Sequence, residues 1–164
     1  MKNIVLLVAV AGLAAACQQP QPPPDPRIAA LADRQAIDQL VAGDYPRALD
    51  ARDWDAYAAT YTEDGELVLL GASSKGRAAI KSFLAGQPAG ERVIHVISNL
   101  SYTINGDTAT GGAYWQDIGV GDTHGVLAAG HYVDALHKVN GAWKFTKREI
   151  VVQAGEAPPP AAAQ

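Results

Sequence analysis

The sequence predicts an α+β fold in which N-terminal helices pack against a curved antiparallel sheet formed by the second half of the chain. Apolar residues recur at helical spacing between residues 28 and 41. After residue 92 the pattern changes to long, mostly apolar segments, and the Asn105-Gly106 and Asn140-Gly141 pairs between them are typical hairpin turns. Helices followed by a strand meander are typical of α+β domains. A sheet bent around such helices forms a cone with an open interior.

Three helical segments are expected before the long strands. The first begins near Arg27 and is interrupted at Gly43 and Pro46, because proline inside a helical pattern kinks or restarts the helix. Asp53 is the expected N-cap of the second helix. The third covers residues 76–84 and is followed by glycine and proline, which end helices.

Five strands are expected. A short strand over residues 66–70 follows a turn at 63–65 and precedes a loop at 71–75. The four long strands are expected to cover residues 92–104, 108–120, 124–139 and 142–152. The glycines of the second and third long strands suit bulges, which bend such strands.

A histidine lies inside the first long strand. Alternation places Val93, His95, Ile97 and Asn99 on one face of that strand. Both faces are mostly apolar, so we expect both to be covered and the imidazole to be desolvated. Desolvation favours the neutral ring unless a carboxylate holds the charged form. Two interpretations are open: His95 either satisfies its hydrogen bonds within a core, or it is the reactive group of a site.

Length and charge limit the function classes. The 164 residues, 48% of them apolar, suffice for one domain with a hydrophobic core. The net charge is −4, and the lysines and arginines are scattered without a basic run, so no nucleic-acid partner is expected. His124, His131 and His137 lie too far apart on one strand, or on opposite faces of it, to hold one metal ion. No metal site is therefore expected.

The N-terminal residues indicate a secretory signal. Lys2 precedes an apolar run that is too short to span a membrane, and small residues then lead to Cys17, the one cysteine of the chain. This segment resembles the lipobox of bacterial lipoproteins, in which the cysteine is lipid-modified and becomes the mature N-terminus. The resemblance implies a domain anchored on the periplasmic side of the bacterial cell envelope, and Gln18 favours the outer membrane.

The same reasoning divides the chain into four parts. These are a lipoprotein signal peptide over residues 1–17, a Pro- and Gln-rich tether over 18–26, the folded domain over 27–153 and a disordered tail over 154–164.

Seven segments of the folded part, in the expected order, resemble the nuclear transport factor 2-like (NTF2-like) superfamily in its SnoaL-like branch. They lie at residues 36–40, 48–54, 62–65, 75–80, 95–99, 130–134 and 141–145. The resemblance implies a cone-shaped, cystatin-like α+β barrel. Dehydratases, isomerases, cyclases, dehydrochlorinases and non-catalytic binding domains share this fold, so the fold alone does not select an activity.

The most similar functional pattern is that of scytalone dehydratase and hexachlorocyclohexane dehydrochlorinase. In these enzymes a histidine inside the cone is the general base, and an aspartate at the end of the first helical segment orients it. His95 and Asp50 match these positions, and Arg148 matches a position at which some dehydrochlorinases carry arginine. Tyr45 stands where the lysine that assists the leaving group would lie, which favours dehydration or isomerisation over dehydrochlorination.

The resemblance implies a reaction without a cofactor. His95, held by Asp50, would take a proton next to an activating group, and Tyr45 or Arg148 would stabilise charge on oxygen. It also implies a homodimer formed through the outer face of the sheet. The alternative is a non-catalytic lipoprotein of the same fold that binds a ligand or serves as a dimerisation module.

Aromatic and polar side chains near the interior are expected to line a pocket for a small hydrophobic or aromatic molecule. They are Tyr45, Trp54, Tyr57, Tyr61, Asn99, Trp115, Tyr132 and Arg148. Asp117 and Asp134 are expected instead on solvated or interface faces.

Overall fold

The computed structural model describes residues 25–87, 92–122 and 124–155. Its helices are α1 (Pro26–Gln39), a π-helical turn (Leu40–Asp44), α2 (Tyr45–Asp50), α3 (Trp54–Ala59) and α4 (Arg77–Ala85). Its strands are β1 (Tyr61–Leu69), β2 (Ala72–Lys75), β3 (Val93–Asn105), β4 (Thr108–Gly119), β5 (Gly125–Val139) and β6 (Ala142–Gly155). The strands form one sheet in the order β2-β1-β6-β5-β4-β3.

The predicted α+β class is confirmed, with two differences in the sheet. All neighbouring strands are antiparallel except β1 and β6, which run parallel. The sheet is also open rather than a closed barrel within the described residues, because its edge strands β2 and β3 are not paired with each other. The helices cover the concave face of this curved sheet and contribute to one core with it.

The turn predicted at residues 63–65 is wrong, because these residues belong to β1. The register of β1 against β6 shifts between Tyr61 and Glu66, so the segment bulges without leaving the sheet. A Cβ on Gly65 would lie 3.0 Å from the Phe145 carbonyl oxygen, so this glycine marks a close backbone approach and not a turn. The loop predicted at 71–75 is also wrong, since β2 pairs with β1 there.

The predicted interruption of the first helix is replaced by a π-helical turn. The Tyr45 backbone N–H donates to the Leu40 carbonyl, five residues earlier, and α2 continues directly from there. Pro46 lies in the first turn of α2, where the missing N–H costs little. The π turn therefore accommodates the proline, and the helix continues to Asp50.

Strand β3 contains a bulge that changes which residues face the interior. Asn99 has a φ of 52°, and the register with β4 shifts between Ser98 and Ser101. His95 faces inward before the bulge, whereas Tyr102 faces inward after it and is 6% exposed. The prediction that both faces of this strand are covered is wrong: Ile94 and Val96 on the outer face are 44% and 42% exposed.

An ion pair is buried in the middle of the core. The Arg148 guanidinium donates to both oxygens of Asp134, from Nε at 2.8 Å and from Nη2 at 2.7 Å, and neither side chain is exposed. The Tyr102 hydroxyl donates to the same carboxylate at 2.5 Å. The prediction that Asp134 lies on a solvated or interface face is wrong. Asp134 is buried because it faces inward on β5 beside β6, where it neutralises the arginine.

The predicted signal peptide, Cys17 and most of the tether lie outside the described residues, as does most of the tail. None of the helices in the described part of the chain is long and apolar enough to cross a membrane.

We expect Asp134→Asn to lower the free energy of unfolding by about 3–5 kcal/mol, because it leaves the buried guanidinium without a counter-charge. Urea denaturation at pH 7 measures the change. Asp107→Asn, in the exposed turn between β3 and β4, is the matched control and should change stability by less than about 0.5 kcal/mol. Equal effects of the two substitutions would contradict the role given to the ion pair.

Candidate functional site

A cavity of about 110 Å³ lies between the helices and the concave face of the sheet. Most of its lining is aliphatic or aromatic. The lining residues are Tyr45, Leu49, Tyr57, Leu67, Leu69, Phe83, Leu84, Gln87, His95, Trp115, Asp117, Ala128, Tyr132, Ile150 and Val152. An apolar cavity of roughly 150 Å³ holds a benzene molecule, so this cavity is somewhat smaller than one that encloses a single benzene ring, and it suits only a small ligand.

His95 lies at the edge of this cavity and is held by Asp50. Its Nδ1 is 2.6 Å from Asp50 Oδ1, and the same oxygen accepts a hydrogen bond from the His95 backbone N–H at 3.2 Å. The imidazole is 14% exposed and the Asp50 side chain 29%. Because a carboxylate accepts only from a protonated nitrogen, Nδ1 carries the proton and Nε2 of the neutral ring is a proton acceptor.

The helical layer and the sheet meet at this contact. Asp50 is the last residue of α2, whose end is placed by the π-helical turn before it. The negative end of the helix dipole disfavours a carboxylate at that position, and an imidazolium beside it compensates. The contact therefore supports the charged form of the ring once Nε2 accepts a proton.

A second carboxylate lies on the other side of the ring. Asp117 Oδ1 is 3.2 Å from His95 Nε2, and the side chain is 20% exposed. The two atoms are close but not aligned for a hydrogen bond, so Oδ1 is buried without a donor. Burial raises the pKa of the Asp117 carboxyl; the charge of His95 opposes this rise and that of Asp50 adds to it.

The bulge in β3 pairs His95 with Asp117. Near the hairpin turn Asn105 pairs with Thr108, and continuing that register would place Ile118 opposite His95. The one-residue shift at the bulge places Asp117 opposite His95 instead. The odd-numbered residues of β4 face inward along the whole strand, so Asp117 lies inside the cone by regular alternation, and the shift turns His95 to the same face beside it. The expectation that Asp117 lies on a solvated or interface face is therefore wrong.

Three tyrosines form part of the wall beside the ring. The Tyr57 hydroxyl donates to the Tyr45 hydroxyl at 2.8 Å, and the Tyr45 and Tyr132 rings pack edge to face with centroids 5.8 Å apart. Burial raises the pKa values of Tyr57 and Tyr132 well above the ordinary range, so both stay neutral at any pH at which the protein is folded. The wall is therefore uncharged apart from His95 and Asp117.

Of the ten residues predicted for the site, the structure places five on the cavity wall and one directly behind it. The wall residues are Tyr45, Tyr57, His95, Trp115 and Tyr132, and Asp50 lies behind His95.

The other four predicted residues lie elsewhere. Tyr61 is buried in the core, and Trp54 is half-buried outside the cavity. Asn99 is at the bulge and lines a shallow groove on the outer face of the sheet. Arg148 lies behind the wall, with its guanidinium carbon 3.9–4.1 Å from the centroids of three aromatic rings. It therefore meets Asp134 and those rings rather than a ligand.

The described residues contain no group of three His, Cys, Asp or Glu side chains placed to hold a metal ion.

The chain is similar to proteins of known structure. A family model described as a SnoaL-like domain matches residues 29–149. An NTF2-like protein with a cystatin-like fold from Novosphingobium aromaticivorans is 28% identical, with a TM-score of 0.72 over 80% of this chain and 89% of that one.

Two further structures are each 25% identical to this chain. One is a Mycobacterium tuberculosis protein of unknown function, with a TM-score of 0.73 over 79% of this chain and 76% of that one. The other is a proposed scytalone dehydratase from Novosphingobium aromaticivorans, with a TM-score of 0.67 over 84% of this chain and 99% of that one. No curated protein sequence matches the chain.

We expect Asp117→Asn to stabilise the protein relative to the wild type, and increasingly so between pH 3 and pH 7. The folded-state pKa of Asp117 is raised, so its favourable contribution is complete below its unfolded-state pKa of about 3.9. That contribution is lost as pH rises through the folded-state value, and asparagine avoids the loss. Unfolding free energies across this range test the prediction, with Asp107→Asn as a control whose difference stays flat. A difference that shrinks with rising pH would contradict it.

Proposed function

The chain belongs to the SnoaL-like domain family, within the NTF2-like superfamily, and on that premise we propose that it is a cofactor-free dehydratase or isomerase acting on a small, largely apolar ring. Proteins of this family typically bind small molecules, and one similar structure is a proposed scytalone dehydratase. The single observation that carries the proposal is the 2.6 Å contact between Asp50 and His95 at the edge of the cavity.

The proposed chemistry begins with proton abstraction by His95. Asp50 holds Nδ1–H, so Nε2 is the acceptor for a proton on a carbon next to a carbonyl or similar group. The imidazolium formed is stabilised by the Asp50 carboxylate. A general base of this kind contributes roughly 10²–10⁴-fold to a rate. Loss of a neighbouring hydroxyl would complete a dehydration, and return of the proton at another carbon would complete an isomerisation.

We expect the wild-type protein to catalyse exchange of α-protons of single-ring ketones with deuterium from D₂O, measured by NMR of the ketone. His95→Gln should slow this exchange at least about 100-fold, because glutamine cannot take the proton. Asp50→Asn should also slow it, since the tautomer is no longer set. His137→Gln, at an exposed position on β5, is the matched control. Ring ketones that bind the wild type without any exchange would favour the alternative, a ligand-binding domain without catalysis.

We further propose a homodimer formed through the outer face of the sheet. Large apolar side chains are exposed on that face: Ile94, Val96, Tyr114, Val126 and Val133, at 42–55%. The double variant Val96→Lys, Val133→Lys should weaken the dimer at least tenfold in sedimentation experiments. Leu70→Lys, in the turn between β1 and β2, is the control. A wild-type monomer at 100 μM would contradict the proposal.

We also propose that Cys17 is lipid-modified and anchors the domain to the bacterial cell envelope. This proposal is supported by the sequence of residues 1–17 alone. In bacteria supplied with labelled palmitate, the wild type should carry label and sediment with membranes, whereas Cys17→Ser should do neither. Unlabelled, soluble wild-type protein would contradict it.

A further inference from the structure

We propose that Asp117 is the general acid of the site and shares one proton with His95 Nε2. The inference rests on the proposed function, because it assigns the second proton transfer of the same reaction. The sequence pattern offered Tyr45 and Arg148 for the role of stabilising or protonating oxygen. The structure places a different group beside the base.

The geometry supports a shared proton. Oδ1 of Asp117 lies 3.2 Å from Nε2 and has no other hydrogen-bond donor, although it is buried. A buried oxygen without a donor is unfavourable, and a proton held between the carboxyl and the imidazole would remove that cost after a small rotation. The Asp117 carboxyl is also part of the cavity wall, so it can reach a ligand that Nε2 reaches.

Among the described residues, no cationic side chain is placed to stabilise or protonate a ligand oxygen in place of Asp117. Within residues 25–87, 92–122 and 124–155, no lysine or arginine lines the cavity wall. The Arg148 guanidinium lies behind the rings of Tyr45, Tyr132 and Phe145 and is neutralised by Asp134. An arginine held in this way cannot stabilise charge on a ligand oxygen at contact distance.

The titratable groups that face Asp117 and His95 come from three elements. Helix α2 contributes Asp50 and Tyr45, α3 contributes Tyr57 and β5 contributes Tyr132, while β1, α4 and β6 contribute only apolar side chains to the wall. Two carboxylates and one imidazole therefore determine the charge of the site among the described residues. One shared proton reduces that charge from −2 to −1, which the apolar surroundings favour.

The proton balance of a dehydration follows from this arrangement. When the shared proton lies on Asp117 and its O–H turns to the ligand hydroxyl, Nε2 is free to take the proton from the carbon next to the activating carbonyl, and the electron pair of that C–H bond forms the C=C bond. The C–O bond to the neighbouring hydroxyl breaks, and the leaving oxygen takes the Asp117 proton and departs as water. The proton on Nε2 then returns to Asp117 across the 3.2 Å gap, and the site is restored without a cofactor.

The same arrangement selects the substrate by charge. Among the described residues, a carboxylate or phosphate would meet Asp117 at the wall, Asp50 behind His95 and no cation, so anionic ligands are disfavoured. A small neutral ring that carries a carbonyl with a hydroxyl on the β-carbon matches both the apolar lining and the pair of proton-transfer groups.

Nitrogen NMR of the full chain, labelled with ¹⁵N at histidine, tests the shared proton directly. In the wild type at pH 7 the His95 Nε2 signal should lie between the positions typical of a free acceptor nitrogen and of an N–H nitrogen. In Asp117→Asn it should move to the acceptor position, while Nδ1 stays an N–H because Asp50 is intact. His124, His131 and His137 are internal references that should not move. An Nε2 signal that is the same in the two proteins would overturn the proposal, whether or not the protein is an enzyme.

Kinetics separate the acid from the base. With single-ring β-hydroxy ketones, Asp117→Asn should keep α-proton exchange within about tenfold of the wild type but lose water elimination by at least about 100-fold. Asp117→Glu should restore part of the elimination, because it returns a proton donor. Equal loss of exchange and elimination in Asp117→Asn would overturn the acid role. A wild type that exchanges no proton would instead overturn the proposed function, and the nitrogen signals would still decide the shared proton.

Discussion

The bulge in β3 is the constraint on which both polar clusters of this domain depend. Before the bulge, the odd-numbered residues face the interior, and His95 meets Asp50 and Asp117 there. After it, the even-numbered residues face the interior, and Tyr102 donates to Asp134. A regular strand would turn one of these two side chains to solvent, because the side-chain period of a strand is two. Asn99, with a φ of 52° in the left-handed region, thus allows one strand to place His95 and Tyr102 in two separate inward-facing clusters.

Aromatic rings lie between the two clusters. The Arg148 guanidinium lies 3.9–4.1 Å from the centroids of Tyr45, Tyr132 and Phe145, and its charge is balanced by Asp134. Burial would lower the pKa of Arg148, but the Asp134 carboxylate outweighs burial and raises that pKa well above its ordinary value. The arginine is therefore a permanent charge of the core. Such pairs add little net stability, yet they penalise any packing that separates them.

The parts of the structure that follow from local periodicity and turn chemistry could be predicted from the sequence. The hairpin at Asn105-Gly106 and the N-cap at Asp53 are examples. A positive φ favours glycine and a helix N-cap favours aspartate, so both features can be recognised from residue type alone. His95 and Asp50 were found through resemblance to a family, because residues 45 positions apart carry no local signal of contact.

The remaining features depend on register, which composition does not show. Asparagine at position 99 is compatible with a regular strand or a bulge, so the face of every inward residue beyond it was ambiguous. The π-helical turn before α2 is also ambiguous in the sequence. Gly43 and Pro46 indicate a break in the helix, whereas the structure continues through a π turn, and this changes where the residues of α2 point. The missed residues, Asp117 and Asp134, are acidic side chains on strands, and acidic side chains are mostly exposed. Asp134 is buried as the counter-charge of Arg148, and Asp117 faces the cavity beside His95.

In the proposed mechanism, the two carboxylates beside His95 have different roles. One carboxylate is sufficient to set the tautomer of the ring, and Asp50 does so from outside the cavity wall. A base alone can remove a proton, but it leaves the departing or receiving oxygen without a donor in a wall that is otherwise aromatic and aliphatic. Burial raises the pKa of the Asp117 carboxyl, which favours its proton-donating form relative to an exposed carboxyl. Arg148 thus lies in the core with Asp134, whereas Asp117 lies on the cavity wall beside His95. The core contains the permanent charge, and the cavity contains the groups that can exchange a proton.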